Sequence, residues 1–286
     1  MKALVFGEII WDVYPGEQVI GGAPFNFSAH LAHLGNETYL ISAVGEDELG
    51  EKALFMAKKH GVRTDYIQKN RNSTGACIVT LSSEGIPCYN VLRDTAYDNI
   101  AADEGLIEKI KEISPDVFYF NTLIQRSEKS RSSLLKILEG CCFPEIFCDI
   151  NIRKDCFDRE SVSLCMEKST IVKISDEEAH YLYDMELIKD TGVSFPFAVA
   201  EKYPNLRLVV YTLGKKGSKV LDTRSGKLFE SGKPEDVKVV STVGAGDCFG
   251  ATFISEYIAG KTVPDAIKFA TERSNIVVSH REAIPF

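Results

Sequence analysis

Short apolar runs alternate with stretches of helical periodicity along most of the chain, and this alternation limits the fold more than any other feature of the sequence. The runs predicted to be strands include residues 3–7, 39–44, 117–120, 146–150, 170–174 and 208–212. Helical patterns lie between them, for example at residues 47–61, 103–112 and 128–139. Strands that alternate with helices predict a mainly parallel sheet covered by helices, which is an α/β fold. A chain of 286 residues is long enough for one large domain of this class or two smaller ones.

Two β-rich runs interrupt this alternation. Residues 73–82 and 86–92 flank Ser83-Glu84-Gly85, which is a hairpin signal. We expect the hairpin to pack either at an edge of the main sheet or, with residues 9–20, in a small sheet of its own. A small sheet placed over an active site would exclude water from it.

Composition and charge argue against several classes of protein. The formal net charge is −8, whereas non-specific binding to nucleic acid or to an anionic membrane requires clustered Lys and Arg. The apolar run at residues 3–6 is too short for a signal peptide, and no later run approaches the length of a membrane span. The eight Cys show no C-x-x-C spacing, so buried, reduced thiols are expected. These features predict a cytoplasmic protein that binds a small molecule, with no nucleic-acid or membrane partner.

The stretch Ser241–Gly250 reads S-T-V-G-A-G-D-C-F-G and carries the clearest chemical signal. Residues 237–240 are predicted to be a strand and apolar residues at helical spacing follow, so Gly244–Asp247 should begin a helix. Free N–H groups and the helix dipole favour a phosphate there, and glycines let it approach the backbone. The carboxylate of Asp247 would repel that phosphate, so its presence there indicates a task. The obvious task is to accept the proton of an attacking hydroxyl. The alternative is an ordinary first-turn acid, and the short motif alone does not decide between them.

Other polar residues follow predicted strands, where the ligands of parallel sheets collect. They are Asn121, Asn151, Arg153, Lys173 and Glu178. Each also has an ordinary explanation as a turn residue, a solvated cation or an acid at the start of a helix. His30 and His33 share a helical face, but no third ligand is suitably spaced, so a metal site is not predicted there. The chain has no Walker loop, and no G-x-G-x-x-G follows the first strand.

Two long motifs give the chain a family likeness. Gly21–Ser28, which reads G-G-A-P-F-N-F-S, resembles the N-terminal signature of the ribokinase-like (PfkB) sugar kinases, and Gly35 and Gly45 follow at the expected intervals. Ser241–Asp247 resembles their C-terminal signature. The likeness spans nearly the whole chain, and within the family it is most similar to bacterial fructokinases. It implies a single domain, residues 1–286, with a three-layer α/β/α ribokinase-like fold and a β lid formed by residues 9–22 and 73–98.

The resemblance also implies roles for individual residues. Asp247 would be the catalytic base, and Gly244, Ala245 and Gly246 would form the anion hole beside it. The residues that would contact the sugar are Asp12, Gly22, Asn26, Asp98, Asn151 and Arg153. Those that would lie along ATP are Lys173, Thr212, Gly214, Gly217 and Asn275, and Glu178 would act on Mg²⁺ through water.

The chain departs from the family pattern at three places. Ser241 replaces the more usual Asp, and Glu282-Ala283 stands where many members have Gly-Ala. Because both regions contribute to the monovalent-cation site of related kinases, a requirement for K⁺ is in doubt. Ser175 occupies the Asn position of the family's N-x-x-E motif, which leaves Glu178 in place.

The implied activity is transfer of the γ-phosphoryl group of ATP to the 6-hydroxyl of D-fructose. Ribose, a 2-keto-3-deoxy acid and a nucleoside are alternative acceptors, and a non-catalytic sugar or nucleotide sensor is an alternative function. The small lid sheet would leave unpaired edges and apolar faces, so a homodimer formed through the lids is expected.

Overall fold

The structure is a computed structural model that describes residues 1–81, 87–232 and 237–286. Thirteen strands are described: β1 (Lys2–Phe6), β2 (Ile10–Tyr14), β3 (Glu17–Gly21), β4 (Glu37–Gly45), β5 (Ile67–Asn70), β6 (Gly75–Leu81), β7 (Pro87–Val91), β8 (Val117–Asn121), β9 (Glu145–Asp149), β10 (Ile171–Ser175), β11 (Leu208–Thr212), β12 (Ser218–Asp222) and β13 (Lys227–Glu230). The helices described are α1 (Ala23–His33), α2 (Glu48–Lys59), α3 (Glu104–Ile113), α4 (Glu128–Gly140), α5 (Arg159–Lys168), α6 (Asp176–Asp184), α7 (Phe195–Lys202), α8 (Ala245–Ile258) and α9 (Val263–Val278). Three short 3₁₀ helices cover Ala96–Asn99, Leu123–Arg126 and Gly214–Lys216.

Nine strands form the central sheet, in the order β13-β12-β11-β10-β9-β8-β1-β4-β5. The seven strands from β11 to β5 pair in parallel, whereas β12 and β13 are antiparallel. The predicted mainly parallel sheet is therefore confirmed. Because the seven parallel strands share one direction, their carboxyl ends, with the loops that follow them, meet at one edge of the sheet.

Helices cover both faces of this sheet, which gives the predicted three layers. On one face, strand residues such as Phe118 and Val172 pack against α3 to α7. On the other face, residues such as Tyr119 and Val210 pack against α1, α2, α8 and α9. Neighbouring residues of one strand supply the two cores because side chains alternate between the faces of a sheet.

A second, smaller sheet has the order β3-β2-β6-β7. β2 and β3 form one antiparallel hairpin, β6 and β7 form another, and β2 pairs with β6 in parallel. Of the two alternatives left open by the sequence, the separate sheet is thus the correct one. The predicted turn at Ser83–Gly85 lies outside the described residues.

The prediction of a strand at residues 237–240 is wrong. These residues adopt no strand, and the Val240 N–H donates to the carbonyl of Val278 at the end of α9. Val239 and Val240 are 61% and 54% exposed. The apolar run has β propensity, but β propensity expresses packing in a sheet, and this segment passes along a helix instead.

None of the described helices combines the length and the apolar character that crossing a membrane requires.

Candidate active site

Asp247 lies in the first turn of α8, where the sequence placed it. The Asn26 side-chain amide donates to Asp247 Oδ2 over 2.8 Å, and Asn26 itself belongs to the first turn of α1. The beginnings of two helices that are more than 200 residues apart in the chain therefore meet here. Burial raises the pKa of Asp247, while the Asn26 amide and the charges of Lys173 and Arg153 oppose that rise.

The predicted anion hole is the backbone that leads into α8. Gly244 caps the helix with φ +79°, and a Cβ on it would lie 2.5 Å from Ala283 Cβ, so only glycine fits. The Ala245 N–H donates to the carbonyl of Thr242. Gly246 and Asp247, as the second and third residues of the helix, carry N–H groups that have no acceptor within it. These two N–H groups are the strongest candidates to bind an anion.

A buried cation lies against the same turn. Lys173 Nζ donates to Asp149 Oδ2 over 2.7 Å, and both side chains are almost fully buried. A Cβ on Gly246 would lie 3.2 Å from Lys173 Nζ. Burial alone would lower the pKa of Lys173, but the charges of Asp149 and Glu178 outweigh it and raise that pKa. A charged ammonium group is therefore held beside the helix start.

A second buried acid, Glu8, lies two residues beyond the end of β1. Both of its oxygens accept from Asn121 Nδ2, at 3.1 and 3.2 Å. Asn121 is oriented by its own Oδ1, which accepts from the Ile124 N–H. Burial raises the pKa of Glu8 from 4.5 to about 7, with the charge of Asp247 adding to the rise and that of Arg153 opposing it.

The variant Glu8→Gln tests whether the raised pKa of Glu8 lowers the stability of the protein at high pH. The unfolded chain loses the Glu8 proton near pH 4.5 and the folded chain near pH 7, so this group makes the protein less stable as the pH rises between the two values. The charged form costs on the order of 3 kcal/mol above pH 7. Because Gln mimics the protonated acid, we expect Glu8→Gln to equal wild type near pH 4.5 and to exceed it in free energy of unfolding at pH 8. Chemical denaturation at both pH values measures this, and equal stabilities at pH 8 would contradict it.

Asp12, Asn151 and Arg153 are three further predicted sugar contacts, and the charge of Arg153 acts on both Asp12 and Asp247. Asp12 belongs to β2 of the small sheet, and a Cβ on Gly21 of the paired strand β3 would lie 3.4 Å from its Oδ2. Burial raises the pKa of Asp12 and the charge of Arg153 opposes that rise. Arg153 is exposed, yet its charge acts on Asp12, Glu8 and Asp247 together. Asn151 has a positive φ of 44°, and its buried Nδ2 has no hydrogen-bond partner within residues 1–81, 87–232 and 237–286.

Gly22 connects β3 of the small sheet to α1. Its φ is +103°, and a Cβ there would lie 2.7 Å from the carbonyl oxygen of Glu8. The Gly22 carbonyl accepts from the Asn26 N–H over 2.8 Å, which begins α1. A side chain on Gly22 would therefore displace both Glu8 and the helix that carries Asn26.

Asp98, another predicted sugar contact, is instead occupied by protein groups. Its carboxylate accepts from Arg126 Nε and Nη2 at 2.8 and 2.9 Å. It also accepts from the Thr95 N–H and hydroxyl at 3.0 and 3.1 Å. The structure thus brings Asp98 to Arg126 and Thr95, and no contact joins it to Asp12 or Asn26. Its role toward the sugar stays a prediction.

Of the predicted nucleotide residues, Lys173 lies at the start of α8, and Thr212, Gly214 and Gly217 lie at the end of β11 and in the turn after it. Thr212 ends β11 and pairs with Ser218, and Gly214 and Gly217 bound the turn between them. A Cβ on Gly217 would lie 2.6 Å from Ser231 Oγ. Ser231, Gly232 and Asn275 help to line a cavity of about 830 Å³ between β13 and α9. The turn therefore adjoins, through Ser231, the cavity that Asn275 lines, and the roles of these residues toward a nucleotide stay predictions.

Comparisons with known proteins show which family the chain belongs to. Residues 4–286 match the model of the pfkB family of carbohydrate kinases. The chain belongs to this family. It is 26% identical to "Probable fructokinase-2" of Arabidopsis thaliana, over 99% of this chain and 92% of that protein, and 28% identical to the "ATP-dependent 6-phosphofructokinase" of Thermoanaerobacterium thermosaccharolyticum, over 90% and 77%. An uncharacterized sugar kinase from Pyrococcus horikoshii, solved in complex with ATP, superposes with a TM-score of 0.81 at 25% identity, covering 99% and 94% of the two chains.

This pfkB carbohydrate kinase is therefore a phosphotransferase that acts on a sugar hydroxyl, and its fold is ribokinase-like, as predicted. The roles of its individual residues stay predictions.

Glu178 is the predicted magnesium residue of this kinase. Its Oε1 accepts from the Ile152 N–H over 2.9 Å, and its Oε2 accepts from the Ser175 N–H over 2.8 Å. Ser175 caps α6 through the Glu178 N–H, so the residue that replaces the family's Asn fixes this carboxylate. Across residues 1–81, 87–232 and 237–286, no cluster of three or more acidic, His or Cys side chains could hold a metal. Each carboxylate oxygen of Glu178 accepts one N–H and keeps a lone pair for a water, and the role of Glu178 toward a hydrated Mg²⁺ stays a prediction.

The potassium question concerns the contacts of Ser241 and Ala283. Ser241 Oγ accepts from the Val243 N–H over 3.2 Å. The carbonyl of Ala283 accepts from Nε2 of the buried His30 over 2.9 Å. Burial lowers the pKa of His30 to about 3, so the ring is neutral. Two groups of the region that would face K⁺ are thus already hydrogen-bonded.

Sequence reasoning assigned no role to Glu8 or Asp149, although both lie in this site. Glu8 lies two residues after β1, and Asp149 is the last residue of β9. The rule that selected Asn121 and Asn151 would also have selected them, because the carboxyl ends of parallel strands share one edge. Acids at the carboxyl ends of parallel strands are therefore candidate site residues in the same way as amides.

Proposed function

We propose that this pfkB kinase transfers the γ-phosphoryl group of ATP to the 6-hydroxyl of D-fructose. The single observation that carries the proposal is the hydrogen bond from Asn26 to Asp247 at the start of α8. It joins the two signature motifs at one carboxylate, beside N–H groups suited to a phosphate. The fructokinase names of similar curated proteins support fructose as the acceptor.

The proposed reaction needs one base and a fixed geometry. Asp247 accepts the proton of the sugar hydroxyl while that oxygen bonds to the γ-phosphorus, the bond from this phosphorus to the bridging oxygen breaks, and ADP leaves. The N–H groups of Gly246 and Asp247 and the ammonium of Lys173 stabilise the charge on the transferred group. When bound, Mg²⁺ would neutralise charge on the phosphates, with Glu178 acting through water.

Charge in the sugar region favours a neutral acceptor. Three acids, Asp12, Glu8 and Asp247, lie within the electrostatic range of Arg153. Arg126 is neutralised by Asp98 in a buried pair. A sugar phosphate or a keto-acid would meet more negative than positive charge here. Hydroxyl groups, in contrast, can donate to Asp12 and to Asn26 Oδ1, which accepts no hydrogen bond from the described part of the chain.

An ADP-release assay over a panel of acceptors tests this proposal. The panel contains fructose, ribose, 2-keto-3-deoxygluconate, adenosine and fructose 6-phosphate, the last because of the phosphofructokinase relative. We expect the highest kcat/KM with fructose. Faster turnover of fructose 6-phosphate would overturn the neutral-sugar argument, and nucleotide binding without turnover of any acceptor would support a sensor instead. Parallel assays in Na⁺ and K⁺ buffers measure the monovalent-cation dependence.

We also propose that the kinase is a cytoplasmic homodimer that associates through its small sheets. β3 and β7 are the outer strands of that sheet, and each pairs with one neighbour. Unpaired strand edges favour pairing with another chain. We expect light scattering at micromolar concentration to give twice the mass of one chain, which is 31.7 kDa, and a fully active monomer would contradict this.

A further inference from the structure

The buried pair of Asp149 and Lys173 occupies a specific place in the sheet. The two residues are register partners on the neighbouring parallel strands β9 and β10. Their side chains consequently leave the same face of the sheet side by side, and Lys173 Nζ donates to Asp149 Oδ2 over 2.7 Å. The side chains are 7% and 4% exposed. The backbone register therefore fixes the ion pair.

The ammonium group of this pair touches the phosphate-binding turn. A Cβ on Gly246 would lie 3.2 Å from Lys173 Nζ, and Gly246 supplies one of the two N–H groups that have no acceptor within α8. An ammonium group has three N–H donors, and Asp149 takes one of them. The others can reach a phosphate that approaches Gly246.

A lysine side chain has four flexible bonds and holds its charge as a compact point, so something must fix its direction if it is to stabilise a transition state. Asp149 is the group that does so here. Its second oxygen, Oδ1, is buried and has no hydrogen-bond partner in the described chain. This carboxylate is thus neutralised through Lys173 alone, and its position serves no other hydrogen bond.

We propose that Asp149 is a positioning residue that holds the Lys173 ammonium beneath Gly246, where it contacts the phosphoryl group during transfer. The inference rests on the proposed kinase reaction, because it needs a phosphate at the start of α8. Asp149 itself touches neither sugar nor phosphate. Its effect on catalysis passes entirely through Lys173.

A double-mutant cycle tests whether the effect passes through Lys173. We expect Lys173→Met to lower kcat about 10²-fold, the typical cost of losing one group that stabilises charge in the transition state. Asp149→Asn should lower kcat by a similar factor without raising KM for ATP, because the cation remains but is no longer aimed. The double variant should be no slower than Lys173→Met, since the two residues act as one unit.

The matched control is Glu145→Gln. Glu145 lies at the opposite end of β9 and forms an ion pair with Arg207 that is also largely buried. This variant removes a carboxylate from the same strand, far from the loops that follow the carboxyl ends. It should change thermal stability and leave kcat within about twofold.

Two results would overturn the proposal. Effects that multiply in the double variant, to about 10⁴-fold, would show that Asp149 acts independently of Lys173, and a wild-type kcat for folded Asp149→Asn would show that it does not act. If Asp149→Asn alone does not fold, the double variant restores charge balance, and the comparison with Lys173→Met still decides. A double variant slower than Lys173→Met would then overturn the proposal.

Failure of the proposed function can be told apart from failure of this inference. A nonhydrolysable ATP analogue should shift the ¹⁵N-ammonium resonance of Lys173, assigned from its absence in Lys173→Met, whereas adenosine should not. This result is expected with or without sugar turnover. If the protein binds the analogue and the chemical shift of the Lys173 ammonium does not change, Lys173 does not contact the phosphate, even if fructose is phosphorylated.

Discussion

Asp247→Asn should bind ATP and sugar as wild type does and turn over about 10² to 10⁴ times more slowly, which is the range for loss of a general base. Asn keeps the size of the side chain, and its Oδ1 can still accept from Asn26 over the same short distance. The loss should appear in kcat. KM for ATP should stay unchanged or fall, because a negative charge near the γ-phosphate has been removed.

The matched control for this variant is Asp265→Asn. Asp265 is the third residue of α9, as Asp247 is the third residue of α8. It caps its helix with Thr262 on the exposed surface, so Asp265→Asn should keep wild-type kcat. Steady-state kinetics on both variants, with melting curves to confirm folding, measure the effect. A wild-type kcat for Asp247→Asn would remove Asp247 as the base and make Asp12 the next carboxylate to test.

Local sequence patterns were sufficient to predict the main architecture. The alternation of apolar runs and helical periodicity predicted the parallel sheet, because burial on both faces leaves that pattern in each strand. The signal failed at Val237–Val240, a run with β propensity that pairs with no strand among the described residues. Strand propensity expresses how well side chains pack on a sheet. Whether a segment joins a sheet depends on the tertiary structure, which the local sequence does not show.

The part of the candidate site that one local stretch of sequence forms could be predicted, whereas the contacts between distant segments could not. The start of α8 is a local feature, so Gly244–Asp247 could be recognised from sequence. The contact of Asp149 with Lys173 depends on the pairing of β9 with β10, and that of Glu8 with Asn121 on two neighbouring strand ends. The spacing of residues along the chain does not show which strands are neighbours, so it predicts neither contact. The ion pair of Asp98 with Arg126 is likewise a tertiary contact that local spacing does not show, and the sugar role that the family resemblance implies for Asp98 stays a prediction.

Gly246 gives the second large effect. Gly246→Val should weaken ATP binding by tenfold or more and lower kcat as well, since its branched side chain would stand where a phosphate must approach the backbone. The new Cβ would also lie 3.2 Å from Lys173 Nζ and push that ammonium out of place. Backbone strain is not the cause, because the positive φ of this turn belongs to Gly244 and not to Gly246.

Gly105→Val provides the comparison that separates this effect from the general cost of placing Val in a helix. Gly105 is the second residue of α3, as Gly246 is of α8, and the atom nearest to an added Cβ is Asp103 Oδ1 at 3.4 Å. Both variants replace a glycine by valine at the second position of a helix, so they share the cost of placing Val there. Only the Val side chain of Gly246→Val would contact the phosphate. Calorimetric titration with ATP should therefore give a wild-type Kd for Gly105→Val and a raised Kd for Gly246→Val. Equal Kd values for the two variants would mean that the nucleotide phosphates do not reach the start of α8, and that the anion must be bound elsewhere along the sheet edge.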